Sequence, residues 1–263
     1  MGRLSRRRRR WGWWGVALAA CQPRPPAGAL APVKVAVEGT YPPFSFVGEN
    51  GRLEGFEVDL ARLACAAMEV ECALVATPFE ALLPGLVGGR YSMAFASLEP
   101  TAQRRTRVHF TRPYLAVDSA VVAASTSTRT GPQPAAEVVV GVQRGTTHES
   151  HLRREGVGRI RRYNSYPEAA LDLRYGRIDL FFGDGASVAR LVAASAMQPE
   201  PLQRVDGIGW QGHLRQQIAA AVSFRHAAWL PRLDDALRRV VDSGEHARLV
   251  ARYFAHGGVG APP

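Results

Sequence analysis

At 263 residues with 46% hydrophobic side chains, the chain can bury one large core or two smaller ones, and its composition excludes a disordered or fibrous protein. The formal charge of +10 suggests nucleic acid until its location is considered: Arg3 and the run Arg6 to Arg10 supply six charges, leaving +4 for the rest (10 − 6). Without a zinc-ligand spacing or an aromatic RNA-binding motif, nucleic acid is not an expected partner.

Residues 1–20 join a basic stretch, RLSRRRRR, to ten apolar residues, Trp11 to Ala20, and small residues follow at their end. That is the pattern of an export signal, too short to span a bilayer as a helix. Leu18-Ala19-Ala20-Cys21 resembles the lipobox of bacterial lipoproteins, which implies lipidation of Cys21 and a membrane anchor. An ordinary signal peptide cut nearby, with Cys21 incidental, is the alternative, and the paired arginines leave a twin-arginine route open. Residues 21–32 have the Pro/Ala-rich composition of a linker.

The alternating valines of Val33 to Val37 predict a strand. Glu38 to Phe46 cannot be helix, because Pro42 and Pro43 fix the backbone, so a rigid loop forms where α/β proteins place ligands. Tyr41 and Phe44 would be core residues or a stacking platform. Asn50-Gly51 marks a hairpin turn. Leu60, Leu63, Ala64 and Ala67 fall on one face of a helix over 57–68. A strand at 72–76, a helix at 79–86 and a strand at 93–96 follow. Cys65 and Cys72, seven apart across the helix-to-strand turn, lie close enough for a disulfide, which an oxidising compartment would preserve. Buried free thiols are the alternative.

Thr101 is placed to cap a helix, with Arg104 following, so strand end, cap and guanidinium suggest a grip for a small carboxylate; a solvated surface loop is the other reading. Residues 118–125 form a strand without an obvious partner. A second unit predicts a strand at 138–142, the turn Gly145-Thr146-Thr147, a helix from about His148, a strand at 159–162, a helix at 166–175 and a strand at 178–182. That last strand ends at Gly183-Asp184-Gly185. An apolar strand at 218–224 and two amphipathic helices close the chain. Alternating strands and helices argue an α/β fold.

These residues resemble the periplasmic amino-acid-binding proteins of ABC importers, most closely the lysine/arginine/ornithine and histidine binders. The resemblance covers residues 33–256 and rests on GTYPPFSF at 39–46, GRLEGFEVDLA at 51–61, FEALLPGLVGGRY at 79–91, ASLEPTAQRR at 96–105 with HFTRPY at 109–114, VGVQRGTTHE at 140–149 and GRIDLFFGD at 176–184. It implies an α/β fold of two lobes joined by two crossing hinge strands, with an interlobe ligand cleft. One lobe would comprise 33–117 and 215–256, the other 118–214, with 257–263 a flexible tail. The strand at 118–125 and the stretch near 215–223 would be the crossings.

By the same resemblance, Arg104 would bind an α-carboxylate with Thr147, and Asp184 an α-ammonium with Ser97 and the backbone around Ala96. Tyr41 and Phe79 would sandwich the ligand's side chain, while Glu38 would pair with its cation, favouring a basic amino acid. Glu99 stands where a small hydroxyl residue is usual, Ser92 replaces a common aspartate, and Gln143 lies where relatives tune specificity. The implied protein is a monomeric, non-enzymatic subunit that delivers an amino acid to ABC permease subunits, with no cofactor or metal. An alternative is an enzyme on the same fold, a cyclohexadienyl dehydratase using Glu99 as its acid. A third reading, a receptor's sensory domain, lacks a transmembrane or kinase segment in this sequence.

Overall fold

In the computed structural model, residues 32–128, 136–209, 214–255 and 259–260 are described; they fall within one unit, Pro32–Pro263. The export signal, Cys21 and nearly all of the linker lie outside the described residues. The first stretch runs β1 (Val33–Val37), β2 (Thr40–Tyr41), β3 (Ser45–Val47), β4 (Leu53–Glu54), α1 (Phe56–Ala67), β5 (Cys72–Ala76), α2 (Phe79–Val87), β6 (Met93–Phe95), α3 (Ala102–Arg105) and β7 (Val108–Phe110). Parallel β5, β1 and β6 form one side of a five-stranded sheet, with β5 at its edge. Beside it, β2, β3 and β4 make a small antiparallel sheet, with the Asn50-Gly51 turn joining the last two.

The chain then enters β8 (Leu115–Ala124), β9 (Val139–Gln143), α4 (Thr147–Arg154), β10 (Arg159–Tyr163), α5 (Tyr166–Arg174), β11 (Leu180–Asp184), α6 (Gly185–Ser195) and β12 (Leu202–Val205). These strands form a second sheet in the order β10-β9-β11-β8-β12. The return path is β13 (Arg215–Ile218), β14 (Ala221–Ser223), α7 (Trp229–Asp242), α8 (Glu245–Tyr253) and β15 (Val259–Gly260). No helix among the described residues is long and apolar enough to cross a membrane.

Several expectations are corrected. The strand expected at 118–125 begins at Leu115 and is not unpartnered: β13 and β15 flank its first half, β11 and β12 its second. Its length lets one strand serve two sets of neighbours. The single strand expected at 218–224 is two strands, β13 on the second sheet and β14 on the first, because the ladder changes partners at Ala219 and Ala220. The strand expected at 178–182 is β11, which runs on through Gly183 to Asp184, and α6 starts at Gly185. Both glycines permit close approach: a Cβ at Gly183 would strike the Tyr166 hydroxyl, and one at Gly185 would lie 2.9 Å from the Asp118 carbonyl. Part of the expected free tail, Val259–Gly260, is strand, paired with Val117 and Ala116.

The buried stripe of α1 is also rotated from the expected one, since Leu60, Ala61, Ala64 and Cys65 are buried while Leu63 and Ala67 are only half-buried. Cys65 and Cys72 form a disulfide across a Cα separation of 6.2 Å, tying α1 to β5.

Candidate functional site

The polar residues gather where β1, β6, β9 and β11 end, on the loops at the C-terminal edges of parallel strands. Burial of these side chains follows from position, at or near the ends of strands whose own residues fill a core. Tyr41, Phe79, Ser97, Arg104, Gln143, Thr147 and Asp184 line one cavity, joined by Thr146, His148 and Gln216. Glu38 is bonded to Gln143 at its edge. Ala96 and Glu99 are likewise not among the lining residues: the Ala96 side chain packs with Leu82 and Leu86, and Glu99 meets Arg104 through its backbone carbonyl.

Arg104 is held by its own backbone surroundings. Thr101 caps α3 by accepting from the Arg104 N–H at 3.2 Å. The guanidinium donates through Nη1 to the Glu99 carbonyl at 3.0 Å and through Nη2 to the Gly145 carbonyl at 3.1 Å. It also lies 5.7 Å from the Phe79 ring centroid. Burial draws its pKa down to about 10, with the nearby Glu99 opposing that drop, so it remains a cation at neutral pH. These bonds use two of the five N–H groups of the guanidinium.

Facing it, the loop from β9 into α4 is closed by reciprocal bonds. Thr146 Oγ1 accepts from the Glu149 N–H at 3.2 Å, and Glu149 Oε2 accepts from the Gly145 N–H at 2.9 Å. This exchange fixes Thr147 and His148 in the first turn of α4. His148 is buried, with Nε2 2.9 Å from Ser119 Oγ and 3.6 Å from Asp184 Oδ1. Burial, then the charges of His151 and Arg104, lower its pKa to about 3, so the approach to Asp184 is not an ion pair at neutral pH.

Asp184 ends β11, its backbone N–H donating to the Tyr166 hydroxyl at 2.8 Å. Its Oδ1 has no hydrogen-bond partner, and burial lifts the carboxyl pKa to about 8. Glu38 is 1% exposed and accepts through Oε1 from Gln143 Nε2 at 2.8 Å, while Oε2 has no partner. Burial lifts its pKa to about 8 against the lowering effect of the Gln143 bond, with Glu57 adding repulsion. Tyr41 stacks on Phe44 at 4.9 Å between centroids and leaves its hydroxyl without a partner.

Direct bonds cross between elements of the two sheets: Gln143 to Glu38, Arg104 to Gly145, and Ser187 Oγ to the Pro42 carbonyl at 2.9 Å. The enclosed cavity is only about 10 Å³, room for about one water. A molecule larger than water fits there only if the surrounding elements move apart.

Five of these residues have no role in the sequence-based expectation. Glu57, fully buried in the first turn of α1, accepts from the Ser97 N–H at 2.6 Å and from the Tyr114 hydroxyl at 2.5 Å. It steadies Ser97, whose φ of +46° lies in the left-handed region. The available signal was its spacing, since Glu57 falls on the same helix face as Leu60, Ala61 and Ala64. Thr146 and Glu149 have capping-box spacing. His148 and Gln216 carried no local signal, because only the tertiary fold brings them to the cavity.

The family description "Bacterial extracellular solute-binding proteins, family 3" matches residues 33–256. The chain is 30% identical over 229 residues to ABC transporter arginine-binding protein 1 of Escherichia coli K12, covering 87% of this chain and 93% of that protein. It is 28% identical to an arginine-binding periplasmic protein of Mannheimia haemolytica, covering 84% and 90%. Among solved structures, an ancestral arginine-binding protein bound to arginine superposes with a TM-score of 0.77 at 25% identity, over 86% of this chain and 99% of that one.

Proposed function

The chain belongs to the bacterial extracellular solute-binding proteins, family 3, and from that premise we propose that it captures a basic amino acid, arginine first among them, for an ABC importer. The observation that carries this reading is the set of unpaired buried groups in one cleft. Glu38 Oε2 and Asp184 Oδ1 are acceptors without donors, and Arg104 is a cation bonded only to neutral carbonyls. A ligand with a carboxylate, an α-ammonium and a second cation satisfies all three, and buried polar groups left unpaired are costly.

Arg104 receives the α-carboxylate, with Thr147 and the first-turn N–H groups of α4. Asp184 receives the α-ammonium beside Ser97. The far cation meets Glu38, steered by Gln143, with Tyr41 and Phe79 supplying the aromatic surface. Closure of the two lobes brings these groups together. The arginine binding named for the E. coli and M. haemolytica relatives supports the same ligand class. Delivery to permease subunits, and an extracytoplasmic location with a lipid on Cys21, complete the proposal; the protein acts as a monomer. Glu99, the acid the dehydratase alternative needs, meets Arg104 through its backbone carbonyl, and the names of the curated relatives are those of binding proteins, which supports capture over catalysis.

Titration calorimetry with L-arginine, L-lysine, L-ornithine, L-histidine, L-glutamine and L-cystine tests the proposal. Tightest binding of a basic amino acid is expected. Preference for a neutral one, or heat from none, overturns it.

A further inference from the structure

Gln216 lies on β13, the strand returning along β8 toward the first sheet, in register with Val117. Its side chain is 96% buried, since only 4% of the residue is exposed. It lines the same cavity as Asp184, Thr147 and Arg104. The carboxamide Nε2 donates to Thr147 Oγ1, which turns Oε1 away from that hydroxyl. Oε1 has no hydrogen-bond partner. Asp184 reaches the cavity from β11, in register with Ser119 on the same β8, two residues along from Val117. Two strands paired with β8 thus bring two unpartnered acceptors, Asp184 Oδ1 and Gln216 Oε1, to one cavity. A single acceptor would suit any amine; a pair calls for a group with several N–H donors.

We propose that Gln216 is a specificity-determining residue: its Oε1 accepts a second hydrogen from the ligand's amino group beside Asp184, selecting a primary ammonium over an N-substituted one. The inference rests on reading the cleft as an amino-acid site. A primary ammonium has three N–H groups, one each for Asp184, Gln216 and Ser97, whereas a substituent on nitrogen leaves one of these acceptors without a donor and adds bulk where Gln216 stands.

Binding of L-arginine and Nα-methyl-L-arginine is measured by calorimetry for the parent, Gln216→Met, Thr147→Val and the double variant, with unliganded melting curves as the check on folding. Gln216→Met is expected to weaken L-arginine about tenfold, to shrink the preference over the Nα-methyl compound at least about threefold, and to cost about fivefold even with Thr147→Val present. Gln216→Glu, which keeps an acceptor, is expected to hold L-arginine within about threefold of the parent, and serves in place of Gln216→Met if that variant does not fold, its preference over the Nα-methyl compound then matching the parent's. A parent that binds L-arginine alongside a Gln216→Met variant within twofold of it overturns this inference alone. So does a loss that vanishes once Thr147 is valine, which would make Gln216 a prop for Thr147. A parent that binds neither probe overturns the amino-acid reading and this inference together.

Discussion

The residues around Arg104 and those around Glu38 are held in different ways. Arg104 is fixed by backbone carbonyls of Glu99 and Gly145 and by a helix cap, and the facing loop by the Thr146 and Glu149 exchange. Glu38 is held by side chains, the Gln143 amide and the more distant Thr40 hydroxyl. Backbone-built geometry survives changes of neighbouring side chains, whereas a side-chain pair is rewritten by one substitution. The first group therefore suits what all amino acids share, and the second suits what distinguishes them.

Arg104→Ala is expected to have the largest effect, weakening every amino acid at least about a hundredfold, because it leaves the bound carboxylate without its cation. Calorimetry checks this, and loss confined to arginine would break the comparison. Glu38→Gln should act on one ligand class: about thirtyfold weaker for L-arginine, with L-citrulline changed by less than about threefold. Equal losses for both would place the far cation elsewhere.

The pH dependence sharpens the same contrast. Glu38 and Asp184 have folded-state pKa values raised to about 8, chiefly by burial. Carboxyls raised in this way favour the unliganded fold below their unfolded pKa values, and that contribution is lost as pH rises through about 8. A dicationic side of the ligand requires both ionised, so binding releases protons and affinity rises with pH. L-arginine should tighten up to about sixtyfold from pH 6.5 to 7.5, about eightfold from each of the two carboxyls. In Glu38→Gln the slope should fall by one proton; a pH-independent affinity would contradict the assignment. Least affected should be binding in the double variant Cys65→Ser, Cys72→Ser. Melting should show a loss of about 2 kcal/mol with L-arginine affinity unchanged.

Much of the first sheet was legible because its signals are local: alternating valines in β1, the Asn50-Gly51 turn, and the spacing of the two cysteines. Arg104 and its cap were legible for the same reason, Thr101 preceding the arginine by three residues. What escaped was set by long-range packing. The strand expected to end at Phe182 runs on to Asp184, and nothing local announces the Tyr166 hydroxyl that keeps Gly183 without a side chain. Gln216 sits in a strand whose ladder changes sheets, and Glu57 meets Ser97 across forty residues of sequence. Glu99 bonds Arg104 through its backbone carbonyl, while its carboxylate acts on the guanidinium through space, a division that the residue type alone does not announce.

The central claim, an amino-acid cleft closed around Arg104, Asp184 and Glu38, is tested most directly by thermal melting at pH 7.5 with and without L-arginine. At about 100 times the dissociation constant, bound ligand adds about 2.7 kcal/mol, a rise of about 5 to 10 °C for a chain of this size, and Arg104→Ala should abolish it. No rise with any amino acid, or an equal rise in Arg104→Ala, would contradict the account.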